Sequence, residues 1–333
     1  MRLMYISRMV SLPFCLLAVS SSLALAQPDY GHDFVTVGAP FNRGTLPEER
    51  SETFDAWENC GSVGYEFQIS RTEILTEDWY EFVVAYQPFR TGAPNDAMFT
   101  SSYIQRDSDG NYIFDQRHAR IPVTISWENA ARYCNWLHNG RENNAQAFEA
   151  GAYDTSTFQY EGGVFTHQRT ASDGARYRLP SYDELVKAFY FDPNRYGAGE
   201  EGYWPYPQGG AAIPISGSPL AGGTTNTGYF GDIPEAGRYP TAASPWGLLD
   251  ASGGAREFTE TADPFNGSRL TLGSEQGLHP IFIELWDRID SIHTYYSPLS
   301  SAGFRIVHTV PSTSTAWCIG WVFFFQRKRN RAC

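Results

Sequence analysis

The segment that decides the reading is 244-SPWGLLDASGGAREFTE-260, where an Asp, a glycine pair and a Glu fall within eight residues, after an aromatic turn and before a strand-like run. Gly253 and Gly254 free the backbone to take positive φ, so that successive peptide groups can turn toward one centre without a Cβ clash. Calcium takes six to eight oxygens in irregular geometry, and a short segment of this kind can supply carboxylates together with backbone carbonyls. By spacing alone the same residues read as an Asx-type turn leading into a strand.

Working outward, three helix starts are signalled. Thr76 stands before 77-EDWYEFVVAY-86, with acids in the first turn and Trp79, Phe82, Val83 and Tyr86 at i, i+3, i+4 and i+7. Ser126 stands before 127-WENAARYCNWLH-138, where Trp127, Ala130, Ala131, Cys134 and Leu137 form the same stripe. Ser181 and Glu184 make a capping box ahead of Leu185, Ala188 and Phe189. Alternation from Tyr65 to Ile69 and from Phe304 to Ile306 predicts short strands. Residues 191–247 hold much of the Gly and Pro and little periodicity, which predicts a long loop, either functional or tied down by a metal. The run 107-DSDGNYIFD-115 has EF-hand character, but its Gly comes too early and His118 stands where the bidentate Glu belongs. It predicts an Asp-Gly hairpin turn instead. With no internal repeat and no linker between about residues 60 and 308, one domain is the simpler organisation.

The first 26 residues, with Arg2 and Arg8, an apolar stretch from Met9 and Ala24-Leu25-Ala26 before Gln27, read as a secretory signal. At the other end a Ser/Thr lead-in precedes apolar Ala316–Phe325 and then Arg327, Lys328, Arg329 and Arg331. That apolar run is shorter than the about 20 residues a bilayer span needs, so it reads as a sorting or anchor tail with its charges on the cytoplasmic side. The tail resembles the PEP-CTERM type of sorting signal, handled by an exosortase in Gram-negative bacteria, with 310-VPST-313 where that signal has Pro-Glu-Pro. The resemblance implies an exported, extracellular or cell-surface protein, membrane association through the tail, and a sorting enzyme as partner.

Setting these ends aside removes six of the 25 basic residues and none of the 37 acidic ones, for a body charge of −18. So acidic a body excludes nucleic acid as partner, since phosphate binding needs a basic footprint. Of five Cys only Cys60 and Cys134 lie in the body. Export permits them to pair, but Cys134 falls on the apolar face of a helix, where a buried free thiol is an ordinary occupant.

Read in order, 64-GYEFQISRTEILTEDWYEFV-83, 122-PVTISWENAARYCNWL-137, 177-YRLPSYDELVKAFYF-191, 244-SPWGLLDASGGAREFTE-260 and 302-AGFRIV-307 resemble the successive blocks of the formylglycine-generating enzyme, or sulfatase-modifying factor, domain. The resemblance covers about residues 62–308, between a lead-in at 27–61 and the tail at 309–333. It implies a single α+β domain of C-type-lectin-like fold, loop-rich with few regular elements. It also implies that the family's calcium loop falls on Asp250, Gly253, Ala255 and Glu257, with a second calcium segment beginning near Asn226.

In that family the oxidase activity depends on a Cys pair near the C-terminus that binds copper. The corresponding stretch here, residues 268–307, has no Cys, so copper and formylglycine generation by that mechanism are not expected. Nor do the seven His show the H-x-x-x-H-x-E spacing of an iron-dependent branch. Two readings stand. One is a calcium-stabilised, non-catalytic binding module for glycan or peptide, with Trp204, Tyr206, Trp246, His279 and His293 lining its cleft. The alternative is a divergent metal-dependent oxidoreductase or protein-modifying enzyme of the same superfamily.

Overall fold

The computed structural model describes residues 28–50, 59–93, 96–229, 235–277, 279–289 and 294–308; the expected signal, the tail and His293 lie outside them. Asp29–Val310 makes up one compact unit. Two sheets organise it. One has the order Phe34–Val37, Phe67–Ser70, Val307–His308, Tyr177–Arg178, all antiparallel. The other runs Thr294–Tyr296, Arg269–Leu272, Glu257–Ala262, Ser301–Phe304, Ile125–Ser126, antiparallel but for the parallel pair Glu257–Ala262 and Ser301–Phe304. The chain passes from the second sheet to the first at Arg305 and Ile306, inside the block 302-AGFRIV-307. Short strands, few helices and long connections make this an α+β, loop-rich single domain.

The three signalled helices form at Thr76–Tyr86, Trp127–His138 and Tyr182–Tyr190. Ser126 caps the second by accepting the N–H of Asn129, and Ser181 with Glu184 closes the capping box of the third. Thr76 departs from expectation. It is the first helical residue rather than the cap, and its hydroxyl donates to the Ile121 carbonyl at 2.9 Å, because a tertiary acceptor lies within reach. The Trp127 stripe and Trp79, Phe82 and Val83 are fully buried in one hydrophobic cluster with Phe304. A second cluster gathers Phe67, Leu185, Phe189, Phe191, Leu248 and Leu270. Cys134 lies in the first and Cys60 in the second, so the two form no disulfide with each other.

Two regions differ from the sequence expectation. The lead-in supplies the edge strand Phe34–Val37, so the domain begins before residue 62. Within the expected loop, Phe191–Gly197 and Glu200–Tyr203 pair as a hairpin whose turn uses Gly197 and Gly199 at positive φ. The 107–111 turn forms as read: Ile104–Arg106 and Tyr112–Phe114 pair across it, and Asp107 accepts the N–H groups of Asp109 and Asn111.

Candidate functional site

The Asp-Gly-Gly-Glu segment forms a tight turn entering the strand Glu257–Ala262. Asp250, Gly253 and Gly254 have φ of 57°, 85° and 66°. The glycines are required twice over. A Cβ on Gly253 would lie 2.1 Å from Asn226 Oδ1, and one on Gly254 would lie 2.2 Å from Glu73 Oε1. These neighbours come close because they accept from the turn: Gly254 N–H donates to Asn226 Oδ1 at 2.8 Å and Ala255 N–H to Glu73 Oε1 at 3.1 Å. Behind the turn, Gly253 N–H donates to Ser274 Oγ, and the hydroxyls of Ser252 and Ser274 donate to Asp287 at 2.6 and 2.8 Å. Burial lifts the Asp287 carboxyl to about 6, and those hydroxyls offset part of the rise.

At the centre sits Arg305, fully buried. Its Nε donates to both oxygens of Glu257 at 3.0 and 2.9 Å, Nη2 to the Leu249 carbonyl at 2.6 Å, and Nη1 to the carbonyls of Ser70 and Arg71. Glu73 Oε2 lies 3.7 Å from Nη2 and has no hydrogen-bond donor. Asp250 accepts the Gly237 N–H at 2.6 Å. Glu73 and Glu257 therefore share one guanidinium, whose charge also acts on buried Asp250. Burial raises Glu73 well above the carboxylate range, and its neighbours Glu257 and Asp250 add to the rise against Arg305. Glu257 is pushed up to about 7 by burial, and Asp250 is raised by the same cause.

That surplus bears on calcium. The carbonyls of Ser252, Gly254 and Arg256 accept hydrogen bonds, whereas those of Gly253 and Ala255 receive none from the described residues. The two free carbonyls, with the carboxylates that flank them in the chain, are hard oxygen groups of the kind calcium takes, and Asp250, Gly253, Ala255 and Glu257 are the residues that would hold it. A cage of three or more acidic, His or Cys ligands is not formed among the described residues, so carbonyls would have to carry part of the coordination.

Two cavities border the cluster. One of about 140 Å³ is lined by Asn226, Gln276, Thr124 and Ser101, which are neutral hydrogen-bonding groups, with Tyr103, Ile121 and Pro122 as its apolar part and the turn at Gly254 and Ala255 in its wall. The other, of about 350 Å³, includes Glu73 and Leu249 in its wall. Neither contains the aromatic set expected of a cleft. Trp204 donates its indole N–H to Asp192 at 3.0 Å and carries Arg195 against its face, Tyr206 is buried, and Trp246 stacks on Phe191. Packing engages these rings. His279 is exposed, and its Nδ1 accepts the Ile281 N–H.

Sequence reading names the contiguous ligand segment and not its distant partners Glu73 and Arg305. A signal for each is present: a Glu entering the apolar run 73-EIL-75, and a lone Arg inside 302-AGFRIV-307. A charge amid apolar neighbours must find a buried partner.

The family described as sulfatase-modifying factor enzyme 1-like domain matches residues 37–310. Among solved structures, variable protein 1 of Treponema denticola is similar at 12% identity and TM-score 0.51, covering 83% of this chain and 94% of its own, a likeness that bears on the fold. PvdO from Pseudomonas aeruginosa is similar at 17% identity and TM-score 0.46, covering 85% and 97%. No curated protein matches the chain in sequence.

Proposed function

The chain belongs to the sulfatase-modifying factor enzyme 1-like family, and on that footing we propose that it is an exported, calcium-stabilised, non-catalytic binding module for a glycan or peptide. The observation that supports the reading is a pair of buried carboxylates, Glu73 and Glu257, on one guanidinium, with buried Asp250 and two free carbonyls beside them. Asp250, Gly253, Ala255 and Glu257 hold the ion, which supplies fixed positive charge and clamps the turn. The turn in turn shapes the neutral cavity of Asn226, Gln276, Thr124 and Ser101, whose amides and hydroxyls suit sugar hydroxyls or peptide groups. Against oxidase chemistry stand the absence of Cys from residues 268–307 and the state of the two body thiols, both buried and both pushed up by burial away from the reactive thiolate. The sequences of residues 1–26 and 309–333 support export and retention at the cell envelope.

The test is metal analysis of the purified protein with oxygen uptake on a Cys-containing peptide, followed by glycan and peptide arrays. Stoichiometric calcium, no uptake and an array hit weakened by Asn226→Ala are expected. Stoichiometric copper or iron with oxygen uptake would sink the binding-module reading and leave the oxidoreductase.

A further inference from the structure

The smaller cavity, of about 140 Å³, has two buried donors in its wall whose hydrogens are unspent, on Asn226 and Ser101. Asn226 is 4% exposed and held in place: its backbone carbonyl accepts the Tyr229 N–H at 3.0 Å and its Oδ1 the Gly254 N–H at 2.8 Å. Because a backbone N–H requires an acceptor, the amide orientation is fixed and the other atom is Nδ2. That donor has no partner among the described residues and is not sealed from solvent. Ser101 is 6% exposed, and its Oγ accepts the Thr124 N–H at 3.3 Å, which leaves the hydroxyl hydrogen to be given.

Ser101 is also held against its backbone preference. Its φ of 63° and ψ of −175° fall in a region that glycine alone occupies without strain. A glycine would satisfy the backbone there, so what serine adds is the hydroxyl, which meets Thr124 and the cavity.

The lining defines what enters. No charged side chain belongs to it, so an ammonium or a carboxylate would be desolvated without compensation. Two buried donors suit a carbonyl oxygen, Ile121 and Pro122 beside them suit a methyl, and the side chains of Thr124 and Gln276 can accept an N–H. Carbonyl, methyl and N–H together make an acetamido group. A cavity of about 150 Å³ takes up benzene, so this one has room for that group while the ring bearing it stays at the mouth. The mouth decides the carrier: Ser102 is exposed and Gln276 half-buried, polar groups that suit ring hydroxyls, whereas the methylenes of an acetylated lysine need an apolar channel.

We infer, resting on the binding-module reading, that this cavity takes the acetamido group of an N-acetylhexosamine in a glycan. The acetyl oxygen accepts from Asn226 Nδ2 and Ser101 Oγ, and no bond is made or broken.

Saturation-transfer NMR on the full chain tests this with N-acetylglucosamine and N-acetylgalactosamine, beside glucose, glucosamine and an Nε-acetyl-lysine peptide. Saturation of an N-acetylhexosamine, strongest at its acetyl methyl, is expected, with none for glucose or glucosamine. Asn226→Asp keeps the acceptor for the Gly254 N–H and removes the donor, and should weaken binding about tenfold. Ser101→Gly loses the other donor but relieves the backbone, so affinity should fall by about the same factor while Tm does not fall, a combination that misfolding does not give. No saturation of either N-acetylhexosamine, a methyl signal no stronger than the ring, equal response of glucose, response of the acetyl-lysine peptide alone, or unchanged affinity in either variant overturns the inference. The two readings fail separately: an array hit that lacks an acetamido group sinks this inference and keeps the binding module, whereas stoichiometric copper or iron with oxygen uptake sinks the binding module itself.

Discussion

Glu49 and Glu73 are both buried glutamates at the heart of ionic clusters, and they have opposite surroundings. Glu49 accepts from Arg43 at two positions, both 2.7 Å, from Arg195 and Tyr196 at 3.2 Å, and from the N–H groups of Leu46 and Tyr203. Burial pushes its carboxyl up, yet these donors more than offset that and hold it below the usual range. Glu73 shares one guanidinium with Glu257 and keeps an orphan oxygen. A closed cluster such as the first holds the chain together and offers nothing to a ligand. An open one retains a demand for positive charge, which is why the second is the candidate site.

The comparison can be broken in order of size. Glu49→Ala strands two guanidiniums and should cost about 3–5 kcal/mol, read as a fall in urea midpoint that calcium does not repair. Equal rescue of this variant and of Glu257→Ala by calcium would erase the distinction. Glu257→Ala should cost about 3 kcal/mol and abolish the response to chelator, since Arg305 loses the carboxylate that accepts its Nε–H and the ion a ligand. Chelation of the wild type should lower stability by about 2.7 kcal/mol relative to calcium at a hundredfold its Kd, seen as a drop in Tm. A melting curve indifferent to chelator would count against the site. Gly253→Ala should cost about 1–3 kcal/mol through positive φ and the Asn226 contact, with Gly199→Ala, also at positive φ but with nothing within 4 Å, as the milder control.

The smallest effect concerns His32, which makes a 2.9 Å bond to the Tyr133 hydroxyl. Burial first, and Arg141 second, draw its pKa from 6.5 to about 4. A depressed folded value means that its contribution is present above about 6.5 and is lost as pH falls toward about 4. Asp78 beside it is raised from 3.8 to about 6, mainly by burial, and works in the opposite sense, losing stability as pH rises through that window. His32→Asn should therefore make stability fall more, or rise less, with increasing pH between about 4 and 6.5, and Asp78→Asn the reverse. Superimposable pH profiles of Tm for wild type and His32→Asn would contradict this.

What the sequence made legible follows the range of the interactions involved. Caps at Ser126 and Ser181 and the Trp127 stripe are local, and they formed as read. The need for Gly253 and Gly254 was also readable, though its full reason lies in Asn226 and Glu73, distant along the chain. Arg305 was hidden because it reaches Glu257, Leu249 and Ser70 only after two sheets have assembled. The aromatic loop misled for a related reason: composition does not tell a ring that waits for a ligand from one stacked on Phe191 or bonded to Asp192. The hairpin at 191–203 went unread because its strands carry Pro193 and the charged residues Asp192, Arg195, Glu200 and Glu201 rather than an alternating pattern, leaving Gly197 and Gly199 as its trace.

Arg305 stands where the backbone leaves one sheet and enters the other, and its guanidinium grips carbonyls or carboxylates belonging to both. Slow amide exchange should accordingly be communal: the protons of Glu257–Ala262 and of Phe67–Ser70 should vanish with one shared opening rate in the intact protein, and with two separate rates once Arg305 is replaced by Met.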